Sequence, residues 1–493
     1  MGSIRGLGRP TSYGKRKHIV TSVVLVLALF AYFLWQESRI GYPLVTSQFQ
    51  SLQSRRVKFW RRLDSLLYQY APNCPEPDLP EPAGSLFFDP INNAPRRELI
   101  VNTDKLLEPL QQKHHGFVQN IRNILPYRPY IPKSRGIVSS AGGDYIPTFM
   151  VSLRVIRARG LTLPVELILK DLTEYEPYAC EVALPALNAK CVVLTEALGV
   201  ESIDIAHFQL KSFAILFSSF EEVVWMDSDC LIINDPAVAL DSKPFTETGY
   251  VLWPDYWANT ASPLYYTISR QQEPPMTARQ STDSSIILVS KKTHLSSLIL
   301  ACYYNYHGPS HYYRLLGQGQ PGGDGDKNTF LHAASAMGND FYAVSELVTP
   351  IGRQNPDGYI FGVGMLGADP VGDYENTSQG KWRVKEPYAG PVPLAFYINA
   401  NNPKFNPAGN LLGPSSHDDD GTPTRLWTGS KEALQRFGYD VERVAWEQTK
   451  AVACEFEEVF ESWKEISVCE QVQRYWDTVF ENLSADTPKF TMD

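Results

Sequence analysis

The chain has 493 residues, 43% of them hydrophobic and 12% aromatic, which is enough for one large core or two smaller ones. Its formal net charge of -9 argues against a nucleic-acid partner, because phosphate binding requires a basic surface. Seven cysteines without a Cys-x-x-Cys pair argue against a zinc cluster and fit disulfides plus a free thiol in an oxidising compartment. Cys180 with Cys191, and Cys454 with Cys469, are candidate pairs by proximity.

The N-terminus carries a candidate membrane anchor. Residues 19–35 form an apolar stretch of about the length that a bilayer requires. The stretch ends in bulky side chains around Trp35 rather than at a small-residue cleavage site, which disfavours a cleaved signal peptide. The basic residues before it predict a cytosolic tail over residues 1–18 and a lumenal position for everything beyond the span.

Residues 36–133 are predicted to be a stem and linker. Apolar and basic side chains alternate with helical spacing over residues 44–70, for which a stalk helix or a weak coiled coil is the simplest interpretation. Seven prolines from Pro72 to Pro95 predict an extended, semi-rigid spacer. A further helix is predicted over residues 99–125.

A strand, a glycine turn and a helix open the next region. Residues 136–141 are predicted to form a strand, and a helix is predicted from Pro147 to about Arg159. Gly142 and Gly143 lie between the two elements. Such a turn lets backbone N–H groups approach a nucleotide phosphate, so both glycines are candidate nucleotide-binding residues; a plain turn is the alternative.

Strands and helices continue to alternate after this unit. Apolar runs at 165–169, 191–194 and 223–226 predict strands, and residues 208–217 predict a helix that carries Lys211. This alternation predicts a mainly parallel sheet that is covered on both faces.

The most informative segment, Asp227-Ser228-Asp229, follows the apolar run at 223–226. Two carboxylates at the carboxyl end of a buried strand lie where open α/β sheets bind their ligands. Their spacing of two would point both in one direction from an extended chain. Such oxygen ligands suit Mn²⁺ or Mg²⁺ together with substrate phosphates. A solvated turn is the alternative, but the second apolar run and the stop at residues 234–236 favour a metal–diphosphate site.

Two later segments contain candidate substrate-binding groups. Trp253, Asp255 and Trp257 lie in an aromatic cluster whose flat faces suit a sugar ring, with core packing as the alternative. The glycine-rich loop at 317–326 leads into a helix predicted over 329–336, and a loop of this kind could close on a substrate or simply be solvated.

Charged groups and apolar stripes complete the pattern. Asp326 and Lys327 end the glycine-rich loop, and Lys404, which follows a strand ending near Asn399, is placed to meet a phosphate. Residues 430–483 are predicted to form helices that pack through an apolar stripe.

Together these motifs resemble the fungal Golgi α-mannosyltransferases that extend mannan and O-linked chains. The resemblance covers about residues 134–410. It is carried by Gly136-Ile-Val-Ser-Ser-Ala-Gly-Gly143, Ser218-Ser-Phe-Glu-Glu222 before Asp227-Ser-Asp229, Thr246-Glu-Thr-Gly-Tyr-Val-Leu-Trp-Pro-Asp-Tyr-Trp257, and Gly325-Asp-Lys-Asn-Thr-Phe330. It implies a glycosyltransferase A-type fold with a Rossmann-like, mainly parallel sheet over residues 134–413, followed by a helical extension packed on it at 414–493.

The resemblance also implies an activity and a location. Mannose would pass from GDP-mannose to a mannose-bearing glycan on secretory glycoproteins, with retention at the sugar, an α-1,3 linkage favoured over α-1,2, and Mn²⁺ or Mg²⁺ as cofactor. The protein would be a single-pass type II Golgi membrane protein, and complexes with other glycosyltransferases are compatible with it. Two alternatives are the same fold with another nucleotide-sugar donor, such as UDP-galactose, and a catalytically silent glycan-binding relative.

Residue roles follow from the same resemblance. Asp227 would contact the ribose or the metal, and Asp229 would ligate the metal. Asn399 stands where relatives often carry His and would ligate through its amide oxygen. Asp283-Ser-Ser-Ile286 stands where relatives often carry Glu-Ser-Gly-Gln. The resemblance thus implies catalytic roles for Asp283 and Asp326, positive charge at the diphosphate from Lys211 and Lys404, and substrate contacts from Trp253, Asp255, Trp257 and Lys327.

Overall fold

The computed structural model describes residues 52–206, 208–321, 325–354, 360–428 and 434–481. The predicted membrane span at 19–35 lies outside these residues, and none of the helices described combines the length and hydropathy needed for a membrane crossing. The chain divides into two compact units, Met1–Ser54 and Arg55–Asp493, and the sheets, the hydrophobic cores and the candidate site all belong to the second.

Two sheets form the framework of the larger unit. In chain order, the strands are β1 (Arg135–Ser140), β2 (Val165–Leu169), β3 (Ala189–Val193), β4 (Glu222–Met226), β5 (Cys230–Ile232), β6 (Tyr250–Ala258), β7 (Gln280–Ser290), β8 (Tyr342–Ala343), β9 (Thr349–Gln354), β10 (Ile360–Ala368) and β11 (Ala395–Asn402). The central sheet has seven strands in the order β3-β2-β1-β4-β7-β6-β8. Only β7 runs against its neighbours, β4 and β6, so the predicted mainly parallel sheet is confirmed.

The second sheet is antiparallel and was not predicted. Its order is β5-β11-β10-β9, and β5 is the short strand that follows Asp229. Glycines interrupt the apolar pattern of β10 at residues 362, 364 and 367, which conceals the strand from a periodicity analysis. A Cβ at Gly367 would lie 2.0 Å from the ring of Tyr397, so this glycine makes room for the neighbouring strand.

Helices cover both faces of the central sheet. The longer ones are α1 (52–69), α2 (Thr103–Asn120), α3 (Tyr145–Ala158), α4 (Gln209–Phe217), α5 (Lys291–Tyr306), α6 (Thr329–Ala336), α7 (Pro370–Ser378), α8 (Val441–Glu457), α9 (Glu461–Ile466) and α10 (Val468–Trp476). Neighbouring residues of β1 belong to different cores. Ile137 is part of the core that includes residues of α3 and α8, and Val138 is part of the core that includes residues of α2, α4 and α5. Burial on both faces explains the continuous apolar runs of these strands.

The predicted stem does not stand apart from the fold. The helix expected over residues 44–70 is α1, but its apolar stripe packs on α4: Phe59 and Trp60 contact Phe217 with ring centroids 5.6 and 6.1 Å apart. The stalk interpretation is therefore wrong for the described part of this helix. The segment limits at 36–133, 134–413 and 414–493 remain predictions.

The proline-rich segment is extended, as predicted, but it lies against the domain. Leu86 accepts a hydrogen bond from the backbone N–H of Ala258 at 2.8 Å, and Phe87 pairs with Trp257. The helix predicted over 99–125 is present as α2.

The C-terminal helices pack on α3, and Trp446 of α8 stacks on Tyr475 at 4.0 Å. Both cysteine pairs suggested by the sequence, Cys180–Cys191 and Cys454–Cys469, are disulfides. Two triplets, at residues 376–378 and 482–484, match the sequence pattern for N-glycosylation. Asn376 is a poor site because the residue is buried and its amide donates to the carbonyl of Pro391. The triplet at 482–484 lies outside the described residues.

Candidate active site

The candidate site lies where the order of the central sheet reverses. β2 and β3 lie on one side of β1, whereas β4 and the later strands lie on the other. Ligands of open α/β sheets bind outside the carboxyl ends of the strands at such a point. β1 runs into Gly142-Gly143 and β4 runs into Asp227, so the topology brings the glycine turn and the acidic motif to the same edge.

Lys211 connects two carboxylates from distant parts of the chain. Its ammonium lies 3.0 Å from Asp227, which follows β4, and 3.0 Å from Asp326, which precedes α6. The side chain and the carbonyl of Ser284 on β7 accept further hydrogen bonds at 2.9 and 3.0 Å. The indole of Trp225 donates to Oδ1 of Asp227 at 2.8 Å, and the ammonium of Lys211 donates to Oδ2 at 3.1 Å, so both carboxylate oxygens are held.

Burial and charge act in opposite directions on this cluster. Burial disfavours the charge on Lys211, but Asp227 and Asp326 outweigh that effect and raise the pKa of the lysine, which is therefore protonated. Burial raises the pKa of Asp326; Lys211 lowers it in part, and Asp227 adds to the rise. The cluster holds its charges only because the ion pairs are intact.

Asp229 has a lysine of its own. Its carboxylate is buried and forms an ion pair with Lys404, which follows β11. Burial raises the pKa of Asp229, Lys404 opposes the rise, and Asp227 adds to it. The backbone N–H of Ala400 donates to the carbonyl of Asp229 at 3.0 Å, which ties the motif to the second sheet.

Asn399 supplies a third oxygen close to this motif. It pairs across the sheet with Cys230, the residue after Asp229. Its amide oxygen is buried and has no hydrogen-bond partner among the described residues. A buried acceptor without a donor is costly unless a ligand completes it.

These residues fit a hard divalent ion. Asp227 and Asp229 provide carboxylate oxygens, and Asn399 provides an amide oxygen without a donor among the described residues. Both carboxylates already form ion pairs with cations, those of Lys211 and Lys404. Mg²⁺ and Mn²⁺ bind through one or two carboxylates together with substrate phosphates. Within the described ranges, no three His, Cys, Asp or Glu side chains gather as a metal site, so metal binding here stays a prediction.

Asp283 is placed differently from the other carboxylates. It lies on β7, and it accepts hydrogen bonds from Tyr397 at 2.6 Å and from the backbone and hydroxyl of Ser285 at 2.9 and 2.7 Å. Burial raises the pKa of Asp283 to about 6 although these hydrogen bonds oppose it. No lysine or arginine among the described residues forms an ion pair with it.

The predicted substrate-binding residues separate into two kinds. The indole of Trp253 is fully buried, stacks on Phe396 and donates to the carbonyl of Ala368 at 2.8 Å, so its ring packs in the core. Asp255 and Lys327 form an ion pair of 2.6 Å with each other. Trp257 is half-buried against Phe87 at the surface, and a role of these side chains in substrate binding stays a prediction.

A cavity of about 550 Å³ adjoins the glycine turn. It is lined by Gly143, Asp144 and Pro147 after β1, by residues 173–176 after β2, by residues 406–409 after β11, and by Phe460, Ser462, Trp463 and Ile466. A Cβ at Gly142 would lie 2.6 Å from the carboxyl carbon of Glu174, and Gly143 has a φ of +54°, so the turn depends on both glycines.

The comparisons with known proteins find mannosyltransferases. A family model described as "Mannosyltransferase putative" matches residues 134–282 and 275–369. Alpha-1,2-mannosyltransferase MNN21 of Candida albicans is 30% identical over 431 residues, covering 74% of this chain and 64% of the relative. Over these residues the chain is similar to fungal alpha-1,2-mannosyltransferases.

Other members of the family show the same partial coverage. Alpha-1,2-mannosyltransferase MNN2 of Saccharomyces cerevisiae is 28% identical over 402 residues, 68% of this chain and 66% of the relative. The chain thus spans less than two thirds of the length of these relatives.

Solved glycosyltransferases align over part of the chain. GlyE of Streptococcus pneumoniae is 11% identical with a TM-score of 0.31, over 65% of this chain and 64% of GlyE. The galactosyltransferase LgtC, solved with donor and acceptor sugar analogs, is 14% identical with a TM-score of 0.28, over 43% of this chain and 73% of LgtC. The fold of this chain is a mixed α/β fold, defined by the sheet topology described above.

Several residues of the site had no signal in the sequence. Ser284, Tyr397, Phe460 and Trp463 come from a strand interior, a second sheet and the C-terminal helices. A pattern analysis assigns such residues to the core, and only the tertiary structure brings them to the edge of the sheet.

Proposed function

We propose that the chain is a metal-dependent, retaining mannosyltransferase of the glycosyltransferase A type that uses GDP-mannose. The observation that carries the proposal is the position of Asp227 and Asp229 at the switch point of the sheet, each held by a lysine. A diphosphate with a divalent ion is the ligand whose charges complement such a site. The choice of mannose as the transferred sugar rests on the relatives, which are named alpha-1,2-mannosyltransferases.

The chain's own residues would divide the work at the leaving group. Asp227, Asp229 and Asn399 would hold Mn²⁺ or Mg²⁺, which as a bound Lewis acid would neutralise the departing diphosphate. Lys404 is one-third exposed and would turn from Asp229 toward a phosphate oxygen. Lys211 is fixed by four acceptors and would stay in place, keeping Asp227 oriented.

The donor nucleoside would lie in the cavity beside the glycine turn. Gly142 and Gly143 let the backbone approach the ligand, and Phe460 and Trp463 offer aromatic faces to a base. The C-terminal helical extension would then be part of the donor site.

Two buried carboxylates are available for the sugar. Asp326 shares Lys211 with Asp227, so it lies beside the leaving-group site and is our candidate for stabilising positive charge on the mannose ring. Asp283 holds the hydroxyl of Tyr397 and is our candidate for a positioning role next to it.

Linkage and location belong to the same proposal. The sequence favours an α-1,3 linkage, but the relatives are named α-1,2-mannosyltransferases, so α-1,2 is the first linkage to test. The apolar stretch at 19–35 would anchor the protein in the Golgi membrane, with the catalytic unit in the lumen. The two disulfides support an oxidising compartment.

A donor panel tests the function. The full chain, purified in detergent, is incubated with GDP-mannose, UDP-galactose and UDP-glucose and an α-mannoside acceptor, with Mn²⁺ or with EDTA. We expect transfer only from GDP-mannose and only with the metal. Transfer from a UDP-sugar would identify another donor on the same fold, and full activity in EDTA would contradict the role of the acidic motif.

A silent glycan-binding relative is the second candidate. The observation in its favour is Asn399, a weaker metal ligand than the histidine of related sequences. Binding of both GDP and an α-mannoside without turnover would favour this candidate.

A further inference from the structure

A second cavity, of about 580 Å³, lies at the same edge of the sheet. It is bounded by the start of β7 and the segment before it, by Trp253 and Pro254 of β6, and by α6 and residues 343–345 after it. Phe88 of the proline-rich stretch and Trp382 after α7 also line it. Its volume is that of a ligand-binding site. Phe88, Phe341 and Trp382 give it aromatic walls.

Two polar side chains in this cavity each have one buried nitrogen without an acceptor among the described residues. Gln280 is only 5% exposed, and its amide nitrogen has no acceptor within the described part of the chain. The Nε of Arg279 is likewise buried without an acceptor, its guanidinium lies over the ring of Phe341 at 5.5 Å, and no described carboxylate pairs with it. Buried donors without acceptors are costly in the free protein, so a ligand that brings oxygen atoms would be bound favourably.

One strand connects this cavity to the acidic site. Gln280, Thr282 and Ser284 all lie on β7, and all three are buried. The first two line the cavity, whereas Ser284 bonds to Lys211 and Asp326. Thr282 and Ser284 are two residues apart, or about 7 Å along the strand.

The loop before α6 provides a second shared wall. The hydroxyl of Thr282 donates to the carbonyl of Lys327, the residue after Asp326. A ligand in the cavity would therefore reach the carboxylates from the side opposite the glycine turn.

We propose that this cavity binds the acceptor, a neutral α-linked oligosaccharide whose hydroxyl and ring oxygens accept hydrogen bonds from Gln280 and Arg279 while its rings stack on Phe88 and Trp382. The inference rests on the proposed function, since it assigns the second substrate of the same reaction. It also gives the proline-rich segment a role, because Phe88 closes one side of the cavity.

Direct binding tests the inference. The full chain in detergent is titrated calorimetrically with α-linked mannotriose in the absence of any donor, for the wild type and for Gln280→Leu, Arg279→Met and Trp382→Ala. We expect each substitution to weaken mannotriose binding at least tenfold. Tyr388→Ala is the control, because this side chain is 99% exposed and lies outside the cavity lining.

GDP binding in Mn²⁺ is measured for the same variants. We expect it to stay within twofold of the wild type, because the nucleotide cavity lies on the other side of the acidic site. Unchanged mannotriose binding in all three variants, or an equal loss in Tyr388→Ala, would overturn the inference. If Arg279→Met fails to fold, Trp382→Ala on the half-exposed rim decides.

The two proposals fail in different ways. Mannotriose binding that the substitutions weaken, without any turnover of GDP-mannose, would contradict the proposed function and leave the cavity as a glycan site. Turnover of GDP-mannose together with wild-type mannotriose affinity in every cavity variant would support the function and overturn the cavity's role.

Discussion

The acidic site and the aromatic cavity lie on one strand, yet they satisfy their polar groups in opposite ways. At the acidic site, Lys211 and Lys404 neutralise the carboxylates from within the chain. In the cavity, donors of Arg279 and Gln280 stay without acceptors among the described residues. The carboxylates of the first region are already paired and must exchange partners when a ligand binds, although the amide oxygen of Asn399 there has no donor among the described residues. The donors of the second region have no acceptors to give up. We expect metal and diphosphate binding to involve side-chain rearrangement, and glycan binding to need little.

The largest effect on activity is expected at Asp229. Asp229→Ala should lower kcat by roughly 10³-fold, because several kcal/mol of transition-state stabilisation depends on the ion that this carboxylate would hold. Steady-state transfer from GDP-mannose measures the loss. Asp419→Ala, in an exposed loop, is the matched control and should match the wild type. Activity of Asp229→Ala near that of the control would remove the acidic site from the mechanism.

The largest effect on stability is expected at Lys211. Lys211→Met leaves Asp227 and Asp326 without their cation and should lower the free energy of unfolding by about 3–5 kcal/mol. Urea denaturation followed by circular dichroism measures it. The double variant with Asp326→Asn should recover part of the loss, because one buried charge is then removed. An equal free energy of unfolding for Lys211→Met and the wild type would show that the ion pairs of Lys211 do not stabilise the fold.

Asp283 predicts a pH dependence. Its folded-state pKa of about 6 lies above the ordinary value of 3.8, so the folded state holds the proton more tightly. That contribution favours folding below about pH 4 and is lost as the pH rises through 6. From pH 4 to 7 the unfolding free energy of the wild type should fall by ~2–3 kcal/mol relative to Asp283→Asn. If the difference in unfolding free energy between the two proteins stayed constant from pH 4 to 7, the raised pKa of Asp283 would be contradicted.

The smallest effect is expected at the nucleotide cavity. Trp463→Ala should weaken GDP binding by about 1 kcal/mol, the usual contribution of an aromatic stack, while Trp463→Phe retains most of the affinity. Calorimetric titration with GDP and Mn²⁺ compares them. Wild-type affinity in Trp463→Ala would place the nucleoside elsewhere and separate the C-terminal extension from the donor site.

The sequence patterns predicted the elements that local rules determine. The apolar run before Asp227 is β4, the helix over 329–336 is α6, and the proximity of the cysteines indicated both disulfides. The resemblance to fungal mannosyltransferases and the mainly parallel sheet are likewise confirmed.

Long-range packing decided the rest. The apolar stripe of α1 is compatible with a stalk helix and with packing on the domain. The tertiary structure shows that it packs on Phe217. Lys211 on α4 and Asp326 before α6 form an ion pair although they are far apart in the sequence. Only the tertiary structure brings them together, so no local sequence pattern predicts this pair. The flat indole of Trp253 is of the kind that stacks on a sugar ring, but here the side chain is fully buried.

The central claim is that the carboxylates at the switch point bind a nucleoside diphosphate together with a divalent ion. Calorimetric titration of GDP into the full chain, with Mn²⁺ and then with EDTA, tests it most directly. We predict that the metal tightens GDP binding at least tenfold in the wild type and has no effect in Asp229→Ala. Equal GDP affinity in Mn²⁺ and in EDTA for the wild type would contradict the claim.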